Sequence, residues 1–111
     1  GKRKRKRILD SIMGKVQKAM TKQAKISQIK REAAERIDDI CPAWKQSNLN
    51  ARAVELNGIR FERELTEHEA DEWQGMLNIW QAIKQIRLDS DIAENTVNAL
   101  QTIEEIEAFS W

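Results

Sequence analysis

His68 is the chain's one histidine, and Asp71 and Glu72 follow it at helical spacing, so an imidazole and two carboxylates share one face. Such a trio could begin a zinc site, yet a tetrahedral zinc centre calls for a second His or a Cys nearby, and none stands there. The pattern predicts an exposed histidine in an acidic first turn and no metal. Cys41 precedes Pro42 with no His/Asn pair to activate its thiol, and reads as a small buried residue near a helix end. The adjacent carboxylates Asp38/Asp39, Asp71/Glu72 and Glu104/Glu105 point in different directions on a helix, which makes them solvated faces rather than acid/base dyads. No glycine-rich phosphate loop is present. The inventory predicts no catalytic residue, no cofactor, no small-molecule substrate and no enzyme activity.

Binding chemistry is concentrated in the first third. Residues 2–31 hold twelve basic side chains against Asp10, a net +11, while residues 32–111 hold seven basic and seventeen acidic ones, a net −10. Lys2, Arg3, Lys4, Arg5, Lys6 and Arg7 form an unbroken run, and Lys15, Lys18 and Lys22 extend it along a helical face. Such an arm can meet phosphate, an anionic membrane surface, a partner's groove, or an acidic patch within Glu62–Glu72 or Glu104–Glu107 of its own chain or another copy. The four tryptophans, Trp44, Trp73, Trp80 and Trp111, stand among Ile and Leu at helical spacing, which favours core or subunit interface over a ligand-stacking platform.

The elements that must position these groups are helices. In 111 residues there are four Gly, one Pro and a third charged residues, a helical composition sized for one domain. One cysteine excludes an internal disulfide, and a reducing compartment is the simpler expectation. No apolar run is long enough to cross a bilayer, and Ile8-Leu9-Asp10-Ser11 behind the basic run lacks the apolar centre of a secretory signal. The sequence does not open on Met, which predicts that it begins inside a longer chain.

Ile8, Leu9, Ile12, Met13, Val16, Ala19 and Met20 form one apolar stripe, interrupted by Gly14; Ile26, Ile29, Ala33, Ile37 and Ile40 form a second, rotated by about a quarter turn. The jump predicts a bend, a break or a change of partner between Met20 and Ile26, and divides an amphipathic arm over 1–24 from a domain over 25–111. Pro42 predicts a helix end near Ile40 and a new start at Ala43, with Trp44, Leu49, Ala53 and Leu56 buried and Asn57-Gly58 as the stop. Ile59–Leu65 could be a short strand or an extended connector, and with no pairing mate for a strand it reads as the connector. Thr66 and Glu69 have capping-box spacing ahead of the stripe Trp73, Met76, Leu77, Trp80, Ile83 and Ile86. Asp89-Ser90-Asp91 predicts the cap of a last helix whose face is Ile92, Thr96, Leu100, Ile103 and Ile106, followed by Phe109 and Trp111. The pair from Thr66 to Phe109 is expected to be antiparallel.

The blocks AAERIDDICPAWKQSNLNARAVEL (Ala33–Leu56) and ADEWQGMLNIWQAIKQIRLDSDIAE (Ala70–Glu94) resemble a helical module of small tail-associated and tail-fibre-related proteins of tailed bacteriophages. The resemblance rests on Pro42, Trp44, Lys45 and Gln46, then an Asn/Ala/Arg helix and a Trp-bearing helix ending in Asp/Ser, and covers about residues 24–94. It implies a tail component or assembly factor without enzyme activity, in the virion or the host bacterial cytoplasm; the basic arm is not part of it.

The combined expectation is an all-α protein, a helical bundle or hairpin domain with a basic amphipathic arm, oligomeric, with Ile12, Val16, Ile26, Ile29, Ile37, Ile40, Trp44, Trp73, Trp80 and Ile83 as core or interface. The expected function is assembly of a larger particle through helix-helix contacts with copies of itself and with other particle proteins. A nucleic-acid binder using the arm is the second class, and a membrane-active or groove-binding arm the third.

Overall fold

The computed structural model describes the backbone from residue 2 and side chains from Arg3 onward. It is all-α, with no strand among the described residues: α1 (Lys2–Ile40), α2 (Ala43–Glu62), α3 (Glu67–Ala99) and α4 (Ile103–Ala108). Two compact units arise from these four helices, one combining the chain through Glu32 with Asp89–Trp111, the other comprising Ala33–Leu88.

α1 ends at Ile40, as Pro42 requires, and Pro42 occupies the N-cap of α2 with φ −56° and ψ 154°. The small Cys41 side chain between them is fully buried, and the Gln46 amide donates to its carbonyl at 2.8 Å. α1 does not break between Met20 and Ile26. What changes along it is cover: Ile8, Leu9, Ile12, Met13, Val16 and Met20 are each more than half exposed, whereas Ile29 is 1% exposed.

In the first unit Ile29 packs with Ala93, Val97 and Ile106 around a small core, flanked by Ile26, Leu100, Phe109 and Trp111. The expected helix start at Asp91 is absent. α3 runs through Asp89-Ser90-Asp91, and Ser90 is buried on it. Met76, Ile83, Ser90 and Val97 recur every seven residues on this helix and all are buried, so a continuous seam outweighs the local capping signal. Of the expected face, Leu100 and Ile103 are half-buried and Ile106 is buried, but Ile92 and Thr96 are exposed, and Ala93 and Val97 are buried in their place. Instead of an antiparallel pair from Thr66 to Phe109, one long helix is followed by the short α4, which Thr102 caps by accepting from the Glu105 amide at 3.2 Å.

In the second unit Ala33, Cys41, Leu56, Met76 and Ile83 are buried, with Ile37, Leu49, Ala53, Trp73 and Trp80 half-buried. α2 does not stop at Asn57-Gly58. It continues to Glu62, no glycine among the described residues has positive φ, and the connector shrinks to Arg63–Thr66. A mid-helix Gly costs only about 1 kcal/mol, less than burying Leu56 returns. The capping box is formed reciprocally, Thr66 N–H donating to Glu69 at 2.9 Å and Glu69 N–H to the Thr66 hydroxyl at 3.2 Å.

Candidate functional site

The expected surface is the front of α1, and its side chains follow from helical spacing alone. Positions 8, 9, 12, 13, 16 and 20 line one side of the helix, and each stays more than half exposed among the described residues. Arg3, Lys4, Arg5, Lys6 and Arg7 are exposed at its start; the Lys2 side chain lies outside the described residues. The result is an apolar stripe bordered by cations.

The lysines on the other side of α1 have a different task. Lys22 Nζ donates to the Asn98 carbonyl at 2.6 Å, and Lys25 Nζ donates to the carbonyls of Glu107 and Phe109, each at 3.1 Å. These carbonyls lie in or just beyond the last turns of α3 and α4, where backbone acceptors lack helical partners and the helix dipole is negative. Lys15 and Lys18 line a cleft with Gln101, Thr102, Ile103 and Glu104. Two further links complete the docking of the C-terminal segment: Lys30 lies 3.6 Å from Glu94, and the Trp111 indole donates to Glu32 at 2.9 Å. The acidic segment Glu104–Glu107 does meet the basic helix, but the hydrogen bonds from Lys25 go to main-chain carbonyls.

Polar side chains in the second unit pair with one another. Arg52 Nε and Nη2 grip Glu72 at 2.8 and 3.3 Å while Nη1 reaches Glu55 at 3.0 Å; these bonds raise the Arg52 pKa and lower that of Glu72. Arg63 binds both oxygens of Glu69 at 2.8 and 3.1 Å, and this pairing, helped by the Thr66 amide, holds the Glu69 carboxyl down at about 2. His68 is exposed, its Nε2 3.2 Å from Glu72. Among the described residues no three His, Cys, Asp or Glu side chains gather in a way that could hold a metal ion. No helix among them is long and apolar enough to cross a membrane.

Of the residues expected at a core or interface, Ile29 and Ile83 are buried, and Ile26, Ile37, Trp73 and Trp80 are half-buried. Arg60 stacks over the Trp73 ring, 5.0 Å from its centroid. Ile12, Val16 and Ile40 are exposed. Trp44, placed by sequence on the buried side of α2, is 69% exposed. The burial of Leu49 and Leu56 sets the inner face of α2, and Trp44 projects from the opposite side. Sequence reasoning missed what stands with it there. Val54 is 76% and Phe61 87% exposed, and Trp44, Ser47, Ala51, Val54, Gly58 and Phe61 follow the alternating three- and four-residue spacing of a helix-helix seam. That spacing was the available signal.

Comparison with protein-family models, with curated proteins and with solved structures finds no match.

Proposed function

We propose that this chain is a non-enzymatic assembly protein whose N-terminal segment, residues 1–24, acts as an arm that docks on a helical partner. The particle implied by the sequence resemblance, a bacteriophage tail, is the assembly proposed for it, in the virion or the host bacterial cytoplasm. The observation that carries the reading is the uncovered stripe from Ile8 to Met20 on a helix whose rear is held in the core by Ile29. Six large apolar side chains, each more than half exposed on one face, constitute the patch that interaction surfaces present. Their basic border selects a partner helix with an apolar stripe and an acidic rim. α2 and α3, tied by Arg52–Glu72 and Arg60–Trp73, are read as a helical hairpin.

The test uses a labelled amphipathic helix with Leu at i, i+3, i+4 and i+7 and Glu on its flanks, titrated with the full chain by fluorescence anisotropy. Binding that falls about tenfold or more in Ile12→Ser/Val16→Ser supports the reading, since each loses the transfer energy of a buried aliphatic side chain. No binding to that helix, with helix-dependent binding to anionic vesicles instead, selects the membrane class. A second reading is favoured by one observation, the exposed Arg3–Arg7 cluster: these cations could hold nucleic acid. Retention on duplex DNA or on RNA that falls steeply with salt and vanishes when residues 2–7 become Gln selects it.

A further inference from the structure

A second uncovered face lies on α2, and its chemistry fits a different occupant. We infer that the face formed by Trp44, Ser47, Ala51, Val54, Gly58 and Phe61 pairs with the same face of a second copy of this chain, the two α2 helices running antiparallel. The inference does not rest on the arm reading, because no residue of the arm takes part.

The first argument is pattern. The six residues occupy alternating core positions of a two-helix seam extending roughly 25 Å at 1.5 Å per residue. Opposed antiparallel, Trp44 of each copy meets Phe61 of the other, Ser47 meets Gly58, and Ala51 meets Val54. Large residues close both ends of the seam, and the small ones between them let the backbones approach. Gly58 fits this role: a Cβ there would meet nothing within 4 Å in its own chain, so nothing inside the protomer demands a glycine.

The second argument is charge. The positions flanking the seam are Asn48, Asn50, Asn57, Glu55 and Glu62. The asparagines carry amides that can donate and accept across a two-fold axis, and Glu55 is already paired with Arg52 at 3.0 Å. Two copies can therefore meet without the repulsion that the cationic border of α1 would impose. Glu62 decides the direction. A parallel pair would bring two Glu62 carboxylates together, whereas an antiparallel pair places each near the start of the partner's α2. That helix start has no acidic residue in its first turn and no side-chain cap, so it can accept an anion.

The third argument is area. At 69% and 87% exposure, Trp44 and Phe61 together bring about 500–800 Å² over two copies. Val54, Ala51 and the asparagine flanks carry the total into the range of about 1,000–1,200 Å², the lower limit for a specific interface. A reversible dimer follows, with dissociation on the order of micromolar to tens of micromolar.

The experiment is sedimentation equilibrium of the full chain over a concentration series, with far-ultraviolet circular dichroism to check that each variant is folded. The native chain should pass from monomer to dimer. Val54→Glu and, separately, Phe61→Glu should each weaken dimerisation by about tenfold or more, because each would bury an unpaired carboxylate. Mixing the Ala51→Lys chain with the Val54→Glu chain should restore the dimer, since positions 51 and 54 oppose each other only in the antiparallel register. A native chain that stays monomeric to about 1 mM overturns the inference. So does a dimer that ignores Val54→Glu and Phe61→Glu, or a mixture that fails to restore association.

Discussion

The front of α1 and the outer face of α2 both leave large apolar side chains in water, and they differ at their edges. The stripe Ile8–Met20 begins beside the cationic cluster Arg3–Arg7; Trp44–Phe61 are flanked by asparagines, by Glu55, which Arg52 neutralises, and by Glu62. An apolar stripe supplies attraction without direction, and the border decides what may approach. This contrast is the basis of the two proposals, an acidic helix as the occupant of the first face and a second copy of the chain as that of the second.

The largest test of this contrast is whether these faces are free at all. Ile29→Ala and Leu56→Ala, at fully covered positions, should each cost about 2–5 kcal/mol in chemical denaturation. Val16→Ala and Val54→Ala, on the open sides of the same helices, should fall within about 0.5 kcal/mol in dilute solution. An open-face substitution that costs as much as a core one would show that the face is covered, and the contrast would collapse.

Salt should separate the two borders next. Raising salt from about 0.05 to 0.5 M shortens the screening length several-fold and should weaken binding of a Glu-flanked helix to the arm by roughly tenfold. Self-association through α2 should be unchanged or slightly tighter. Equal salt dependence would remove the distinction.

A smaller effect sharpens the account of what holds α2 beside α3. Thr66→Ala should cost about 1 kcal/mol by removing the cap. Because Arg63 and the Thr66 amide hold Glu69 near 2, below its ordinary 4.5, Glu69 adds stability that is fully present above about 4.5 and is lost as pH falls toward 2. Glu69→Gln should flatten the acid-unfolding curve in that window. The smallest expected gain is from Gly14→Ala, where the added methyl meets nothing within 4 Å. It should raise stability by up to about 1 kcal/mol without changing either face.

Much of the helical layout was legible because its signals are local. Pro42 ends α1 by geometry that no distant contact can override, and Thr66/Glu69 satisfy each other's backbone within three residues. The failures came where a local signal competed with packing. Asn57-Gly58 and Asp89-Ser90-Asp91 look like ends, yet neither breaks a helix by itself, and the seams through Leu56 and through Ser90 continued past them. The sides of α2 were misjudged for a related reason. A tryptophan at helical spacing reads as pointing inward, whereas Leu49 and Leu56 fix the rotation of the helix and leave Trp44 outside. The exposed stripe of α1 is visible as periodicity, but whether anything covers it depends on contacts distant in sequence, which spacing does not encode.

The lysine ammonium groups of Lys22 and Lys25, hydrogen-bonded to carbonyls at 2.6 to 3.1 Å, alter how the chain's polyelectrolyte character should be counted. A polyanion meeting this protein displaces counterions in proportion to the cations that can reach it, about 0.9 per phosphate on duplex DNA. Those two are already committed, so a log-log retention plot should have a slope set by the cluster at Arg3–Arg7 and be shallower than the formal +11 of the first third suggests.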